Sequence, residues 1–128
     1  MQKDQEIAKF IDEIRDKFPD VSIQIDKWML RQGLEPEDKW YWDMMEAFSQ
    51  ATTDAIKNSD EQLALSHLSF VSEKLKIASK IEEEFIDVYY VESLMWDIKD
   101  KEKLKWGWSL IPENLKELYK ETWGEPDF

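Results

Sequence analysis

Residues 81–99, with the sequence IEEEFIDVYYVESLMWDIK, are the most hydrophobic stretch of the chain and the one that decides its fold class. On a helical wheel their apolar and aromatic side chains cover the whole circumference, which is typical of a helix in the middle of a fold. β-branched and aromatic residues also favour strands, but the run is too long for a single strand. The stretch therefore predicts a central helix from about Ile81 to Lys99.

Hydrophobic periodicity predicts further helices on both sides of this central one. An apolar stripe runs from Ile7 to Phe18 and is ended by Pro19, while Gly33 and Gly124 end two later helices. The predicted helices are 7–18, 21–32, 36–58, 60–79, 81–99 and 112–123. Residues 100–103 are predicted to be a polar connector, and residues 104–111 to be irregular, short-helical or briefly extended. The sequence thus predicts an all-α fold, a compact bundle of about five to six helices in a single domain over 1–128. Stacked helical hairpins are an alternative arrangement.

The balance of charge restricts the partners that the chain can have. It carries 29 acidic and 17 basic residues, for a net charge of −12. Such a field repels phosphate backbones and anionic lipids and attracts basic molecules at long range. We therefore expect a basic protein partner and no binding to nucleic acid or membrane, although solubility alone also explains acidity. No signal-peptide stretch and no run of ~18–20 apolar residues occurs, so a cytoplasmic location is expected.

The residue types that catalysis and metal binding require are scarce in this sequence. His67 is its one histidine, and cysteine is absent. Neither a Glu-x-x-His pair nor a glycine-rich phosphate loop occurs. We therefore predict no catalytic residue, no cofactor and no metal.

Two other functions remain open as alternatives. Asp43 with Glu46, and Glu84 with Asp87, have the three-residue spacing found in magnesium-dependent all-α nucleotide phosphohydrolases, but the doubled Glu-x-x-Glu set of those enzymes is missing. That function requires the four carboxylates to converge on one ion. The other alternative is a helical homo-oligomeric scaffold, which requires a large apolar surface patch for a second copy of the chain.

Two polar residues stand where apolar ones are expected. His67 lies between the two apolar stripes of its helix, and Glu92 shares a helical face with Phe85, Val88 and Trp96. A carboxylate that is buried alone is unfavourable, so it needs partners or a proton. We predict that both are buried structural groups, with Glu92 at least half buried and hydrogen-bonded to a Tyr, a Trp or His67.

Trp42 lies off the apolar stripe of the 36–58 helix, beside Asp43 and one turn from Glu46. Trp and Tyr are enriched at binding hot spots, so this position indicates a protein contact, with core or ordinary surface as the alternatives. A second acidic group crowds the first turns of the 81–99 helix. The predicted partner-binding residues are Trp42, Asp43, Glu46, Glu82, Glu83, Glu84 and Asp87.

Part of the sequence has a recognisable pattern. Residues 89–94 (YYVESL), 106–108 (WGW), 111–119 (IPENLKELY) and 123–124 (WG) resemble an uncharacterised family of small bacterial all-helical proteins. Members of that family look like immunity proteins that neutralise secreted toxins, and the resemblance covers about a third of the chain. It implies an inhibitor of a protein partner. An acidic domain with tryptophan anchors suits that role, because nuclease inhibitors present carboxylates to a basic cleft.

Overall fold

The computed structural model describes residues 2–35 and 39–128. Over these residues the chain forms seven α-helices and no strand, so the all-α fold is confirmed, with slightly more helices than predicted. The helices are α1 (Gln2–Lys17), α2 (Pro19–Arg31), α3 (Tyr41–Lys57), α4 (Glu61–Lys76), α5 (Lys80–Ile86), α6 (Lys101–Leu110) and α7 (Glu113–Trp123). A π-helical turn (Asp87–Val91) follows α5 directly.

α1 and α2 meet at a corner built around Pro19. The predicted apolar stripe of α1 is buried, with Ile7 and Ile14 on its inner face. Pro19 ends α1 because it cannot continue the hydrogen-bond ladder, and its fixed φ then suits the first turn of α2. Across the corner, Arg15 forms an ion pair with Asp26, with 3.1 Å between Nη1 and Oδ1. The corner therefore holds the two helices side by side.

α3 is the helix around which the others pack. It contacts α1, α2, α4, α6 and the π-helical turn. The helix predicted over 36–58 is therefore confirmed from Tyr41 onward, while its predicted start at Pro36 lies outside the described residues. Besides apolar side chains, α3 buries three hydroxyl residues, Ser49, Thr52 and Thr53. Those hydroxyls determine how the following segments pack.

The prediction of one central helix over 81–99 is wrong in its second half. Phe85 and Tyr90 are buried as predicted, but the α-helical ladder ends at Ile86, and Met95 takes a left-handed φ of 61°. Hydroxyls of α3 replace the missing ladder partners. Ser49 Oγ donates to the Tyr90 carbonyl at 2.7 Å, and the Met95 N–H donates to Thr53 Oγ1 at 3.0 Å. These are long-range contacts that a helical wheel does not contain.

Residues 101–110 form α6, so the short-helical alternative is the correct one, and the helix also includes most of the predicted polar connector. Asp100 caps this helix through its carboxylate, which accepts the Glu102 N–H at 2.9 Å. Gly107 lets α6 approach α3 closely. A Cβ at this position would lie 2.5 Å from Met95 Sδ and 2.9 Å from Ile56 Cγ2. The glycine is therefore explained by packing.

Candidate functional site

Carboxylates from three consecutive segments and from α7 crowd around Asp87. We call this group the acidic patch, and its members are Glu83, Glu84, Asp87, Glu92 and Glu121. Partial burial raises the pKa of the Asp87 carboxyl, and the charges of Glu92, Glu121, Glu83 and Glu84 raise it further. Within the described part of the chain, none of the five forms an ion pair. The acidic patch is thus a site of uncompensated negative charge.

The local sequence determines where α5 begins, and therefore where its acidic residues lie. Ser79 Oγ accepts the Glu82 N–H at 3.2 Å, and Glu82 Oε1 accepts the Ser79 N–H at 3.0 Å. This capping box fixes the start of α5 and occupies the carboxylate of Glu82 in a structural role. Glu83 and Glu84, the next two residues, are exposed. Of the acidic residues predicted here, Glu82 is therefore engaged within its own helix.

The π-helical turn brings Asp87 and Glu92 together. In a π-helix the hydrogen bond spans five residues, and the Glu92 N–H donates to the Asp87 carbonyl at 3.1 Å. The two residues therefore lie about one turn apart, and the charge of Glu92 acts on Asp87. α7 packs against the same turn and adds Glu121. Sequence reasoning did not place Glu92 or Glu121 in this group, because both positions depend on tertiary packing.

Glu92 is partly buried, as predicted, but its surroundings differ from the prediction. Over residues 2–35 and 39–128, its carboxylate accepts no hydrogen bond from a Tyr, a Trp or His67. Its neighbour is Asp87, another carboxylate. Helical periodicity predicted aromatic neighbours, but the ladder is not α-helical at this point. Glu92 therefore belongs to the acidic patch rather than to a buried network.

The second predicted group lies at the start of α3. Trp42 is 38% exposed and packs edge-to-face on Trp40, with 5.4 Å between ring centroids. Partial burial raises the pKa of Asp43, and burial together with the charge of Asp43 raises that of Glu46. Neither carboxylate is among the charges that act on Asp87. The predicted partner-binding residues therefore remain in two groups, one at the start of α3 and one around Asp87.

The convergence required by the magnesium alternative is not observed. The described residues contain no group of three or more His, Asp or Glu side chains placed to hold one ion. The charge of Asp43 acts on Glu46, whereas the charges that act on Asp87 come from other carboxylates.

Two further tryptophans are exposed that sequence reasoning did not single out. Trp96 is 65% exposed, and its Nε1 donates to Gln50 Oε1 at 2.7 Å. Trp123, at the end of α7, is 58% exposed. Trp96 was predicted to lie within a continuous 81–99 helix. Because it lies beyond the π-helical turn instead, the helical pattern did not predict its exposure. For Trp123 a partial signal was available in its place in the last turn of α7.

His67 is buried, as predicted, and takes part in a network of polar groups. Its Nδ1 lies 3.0 Å from Thr52 Oγ1, which is also 2.8 Å from the hydroxyl of Tyr90. The rings of Phe18 and Phe48 pack against the imidazole at centroid distances of 4.8 and 5.0 Å. Burial in this apolar surrounding lowers the pKa of His67 to about 4, so the imidazole is neutral at pH 7.

The fold and these sites define an acidic all-α protein with uncompensated surface charge. The chain belongs to the family described as a domain of unknown function, DUF7674, which matches residues 11–124. Comparison with curated proteins and with solved structures gave no match. Among the helices of residues 2–35 and 39–128, none has both the length and the apolar character that crossing a bilayer requires.

Proposed function

We propose that this protein is an acidic protein-binding module, an inhibitor or immunity-type protein that neutralises a basic partner such as a nuclease toxin. The acidic patch is the main contact surface in this proposal. The group of Trp42, Asp43 and Glu46 provides a second contact with an exposed aromatic ring.

One observation carries the proposal: the charges of four carboxylates raise the pKa of Asp87, and none of these five residues forms an ion pair in the described part of the chain. Repulsion between like charges opposes folding. Elsewhere some carboxylates are paired with a cation of another helix, as Glu13 is with Lys74 at 2.6 Å. Features that reduce stability are retained where function needs them, which supports a role in binding for this surface.

The π-helical turn is a second supporting feature. Such turns are rare and occur often at functional sites. Here the turn creates the juxtaposition of Asp87 and Glu92. A regular α-helix would have turned these two side chains farther apart.

A basic partner would relieve the repulsion between these carboxylates. Positive charge beside Asp87 would favour its ionised form, so binding would release a proton wherever the free carboxyl is protonated. A nuclease cleft offers that chemistry, because it presents Lys and Arg side chains to a phosphate backbone. Long-range attraction would also speed the encounter.

The experiment uses two charge-reversal variants that change the net charge equally. The patch variant carries Glu83→Lys, Glu84→Lys and Glu121→Lys, all at exposed positions. The control variant carries Asp12→Lys, Asp16→Lys and Asp20→Lys, also exposed, on α1 and α2. Each protein is immobilised and used to capture partners from its native lysate and from expressed neighbouring open reading frames, with quantitative mass spectrometry as the readout.

The proposal expects a stoichiometric basic protein that the wild type and the control variant retain and the patch variant loses. Circular dichroism spectra establish that both variants remain folded. Equal capture by the two variants would show that the acidic patch is not the contact surface. Absence of any basic partner would count against the inhibitor function itself.

A further inference from the structure

Trp96 is an exposed aromatic side chain that the fold holds in place. It is 65% exposed, and its Nε1 donates a hydrogen bond to Gln50 Oε1 of α3 at 2.7 Å. A tryptophan normally buries most of its large apolar surface. Here the hydrogen bond ties the indole to α3, while most of its surface stays in contact with solvent.

The backbone before Trp96 determines the direction in which this side chain points. Met95 has a left-handed φ of 61°, a conformation that is unfavourable for a residue with a side chain. Its N–H donates to Thr53 Oγ1 at 3.0 Å, and its sulfur lies against Gly107 of α6. Strained residues of this kind cluster at functional sites. Buried contacts therefore specify the exposed position of Trp96.

A continuous face of the fold connects Trp96 with the start of α3. Trp42, Glu46 and Gln50 are spaced by four residues, which places them on one side of the helix. Glu46 and Gln50 are partly exposed, and Trp42 is exposed. We call the face formed by Trp42, Asp43, Glu46, Gln50 and Trp96 the α3 strip. Since a helix rises about 1.5 Å per residue, the strip spans roughly 12 Å from Trp42 to Gln50.

The two ends of the α3 strip differ in charge. At its start, partial burial raises the pKa of Glu46 and the charge of Asp43 raises it further. Neither carboxylate forms an ion pair in the described part of the chain. Next to Trp96, Asp97 is paired with Lys57 at 2.9 Å. On the α2 side of Gln50, charges of both signs line a small hollow: Lys27, Arg31 and Asp54. The strip is therefore acidic at its Trp42 end and mixed in charge at its Trp96 end.

This arrangement restricts what the α3 strip can bind. Two carboxylates beside a tryptophan ring suit the guanidinium of an arginine, which pairs with carboxylates and also stacks on aromatic faces. At the other end, an exposed ring without an excess of negative charge beside it suits an apolar side chain. A protein segment with an arginine and an apolar residue roughly 12 Å apart has both features. In an extended chain this distance corresponds to about four residues.

We propose that the α3 strip binds an extended basic segment of a protein partner, with an arginine on Trp42, Asp43 and Glu46 and an apolar side chain on Trp96. The inference rests on the proposed function, because that function assigns the first three residues to a second contact with the basic partner. It adds Trp96 to this contact and names the side chains that the contact takes. The strip and the acidic patch share no residue, so each can be altered alone.

The test uses three synthetic pentapeptides as probes: acetyl-Arg-Ser-Gly-Ser-Leu-amide and two variants of it. In one variant citrulline replaces the arginine, which removes the positive charge and keeps a planar group of similar size. In the other, glycine replaces the leucine. Each peptide is titrated into the protein at pH 7 and low salt and followed by ¹⁵N NMR. The indole N–H signals of Trp42 and Trp96 report on the two ends of the strip, and that of Trp123, exposed on α7, is the internal control.

We expect the first peptide to shift the Trp42 and Trp96 indole signals saturably and to leave that of Trp123 in place. The citrulline peptide should bind about fivefold or more weakly, because it loses the contacts of a cation with the carboxylates and the ring. The glycine peptide should not shift the Trp96 signal. Trp96→Ala should weaken the binding of the first peptide. Trp123→Ala, which removes an exposed ring outside the strip, should leave the affinity unchanged.

Absence of saturable binding by the first peptide, or equal shifts of the Trp123 signal, would overturn the proposal. Equal affinities for the arginine and citrulline peptides would overturn the charge assigned to the bound segment. An unchanged affinity in Trp96→Ala would remove Trp96 from the contact.

The capture experiment distinguishes failure of this inference from failure of the proposed function. A basic partner that the acidic-patch variant loses and Trp96→Ala retains at full affinity would contradict the inference alone. Peptide binding to the strip, together with the absence of any captured basic partner, would count against the inhibitor function and leave the strip as a binding surface.

Discussion

The corner between α1 and α2 and the acidic patch differ in how their charged side chains are paired. Around α1, Arg15 is paired with Asp26 on α2, and Glu13 with Lys74 on α4, so charged side chains join neighbouring helices. Around Asp87, the charges that raise its pKa all come from carboxylates, and none of the residues of the acidic patch forms an ion pair in the described part of the chain. The net charge of −12 is therefore unevenly compensated. The difference separates charges that join helices from charges that are unpaired within the fold, which the proposed function assigns to a partner.

This comparison predicts effects of opposite sign. Where two polar side chains are hydrogen-bonded or ion-paired, removing one of them should destabilise the protein, because the other is left without its partner. Removal of one charge from the acidic patch should stabilise it, because repulsion decreases. The following experiments test this contrast, beginning with the largest expected effect.

The largest effect is expected for Thr52→Val, which leaves both His67 Nδ1 and the Tyr90 hydroxyl without their partner. We expect a loss of about 3 to 4 kcal/mol in the free energy of unfolding. Chemical denaturation measures it. Thr52→Ser keeps the hydroxyl and should lose roughly 1 kcal/mol from the missing methyl group. Equal losses in the two variants would contradict a role of this hydroxyl in the network.

The second-largest effect is expected in the dependence of stability on pH. Because burial lowers the pKa of His67 to about 4 in the folded protein, the unfolded chain, with an ordinary value near 6.5, binds the proton first. Stability should therefore decrease as the pH falls from about 6.5 to about 4, by on the order of 3 kcal/mol.

The raised pKa values of Asp43, Glu46 and Asp87 act in the opposite direction as the pH falls, because the folded state then binds their protons first. Comparison with His67→Gln over the same pH range cancels these contributions. The wild type should lose its stability relative to that variant on acidification. A constant difference between the two proteins would mean that His67 is not buried in its neutral form.

On the ion-paired side, Lys74→Met should leave Glu13 without its partner while an apolar chain remains over Phe10. Both charged side chains are partly buried, so we expect a loss of about 1 to 2 kcal/mol. Thermal and urea denaturation measure it. The double variant with Glu13→Gln should recover part of the loss. An additive double variant would show that the ion pair contributes no coupling.

The smallest effect is expected in the acidic patch, where Asp87→Asn should stabilise the protein by about 0.5 kcal/mol or less because solvent screens the charges. Asp26→Asn, which breaks the ion pair with Arg15, is the matched control and should destabilise it. Urea denaturation at low salt measures both. Destabilisation by Asp87→Asn would show that neighbouring groups stabilise the negative charge of Asp87 rather than oppose it.

Local signals in the sequence were sufficient for much of the fold. The spacing of Ile7 and Ile14, and the proline that follows, predicted α1 and its end, because both depend on neighbouring residues only. The 81–99 segment was predicted too long. The hydroxyls of Ser49 and Thr53, about forty residues away, bind backbone groups of this segment. Periodicity contains no information on such partners.

The candidate site was predicted only in part, for the same reason. Glu83, Glu84 and Asp87 are adjacent in sequence, so their charge was visible, whereas Glu92 and Glu121 join them through the π-helical turn and through α7. The burial of His67 was predicted from its place between two apolar stripes. Its bond to Thr52 depends on how α3 and α4 pack.

The central claim, that a basic partner docks on the uncompensated acidic patch, is tested most directly by association kinetics. The rate constant is measured by stopped-flow fluorescence with the captured partner at low and high salt, for the wild type and the Glu83→Lys, Glu84→Lys, Glu121→Lys variant. We expect the wild type to associate roughly tenfold or more faster at low salt, and the variant to be slow at both. Association that is independent of salt, or equally fast in the variant, would contradict the claim.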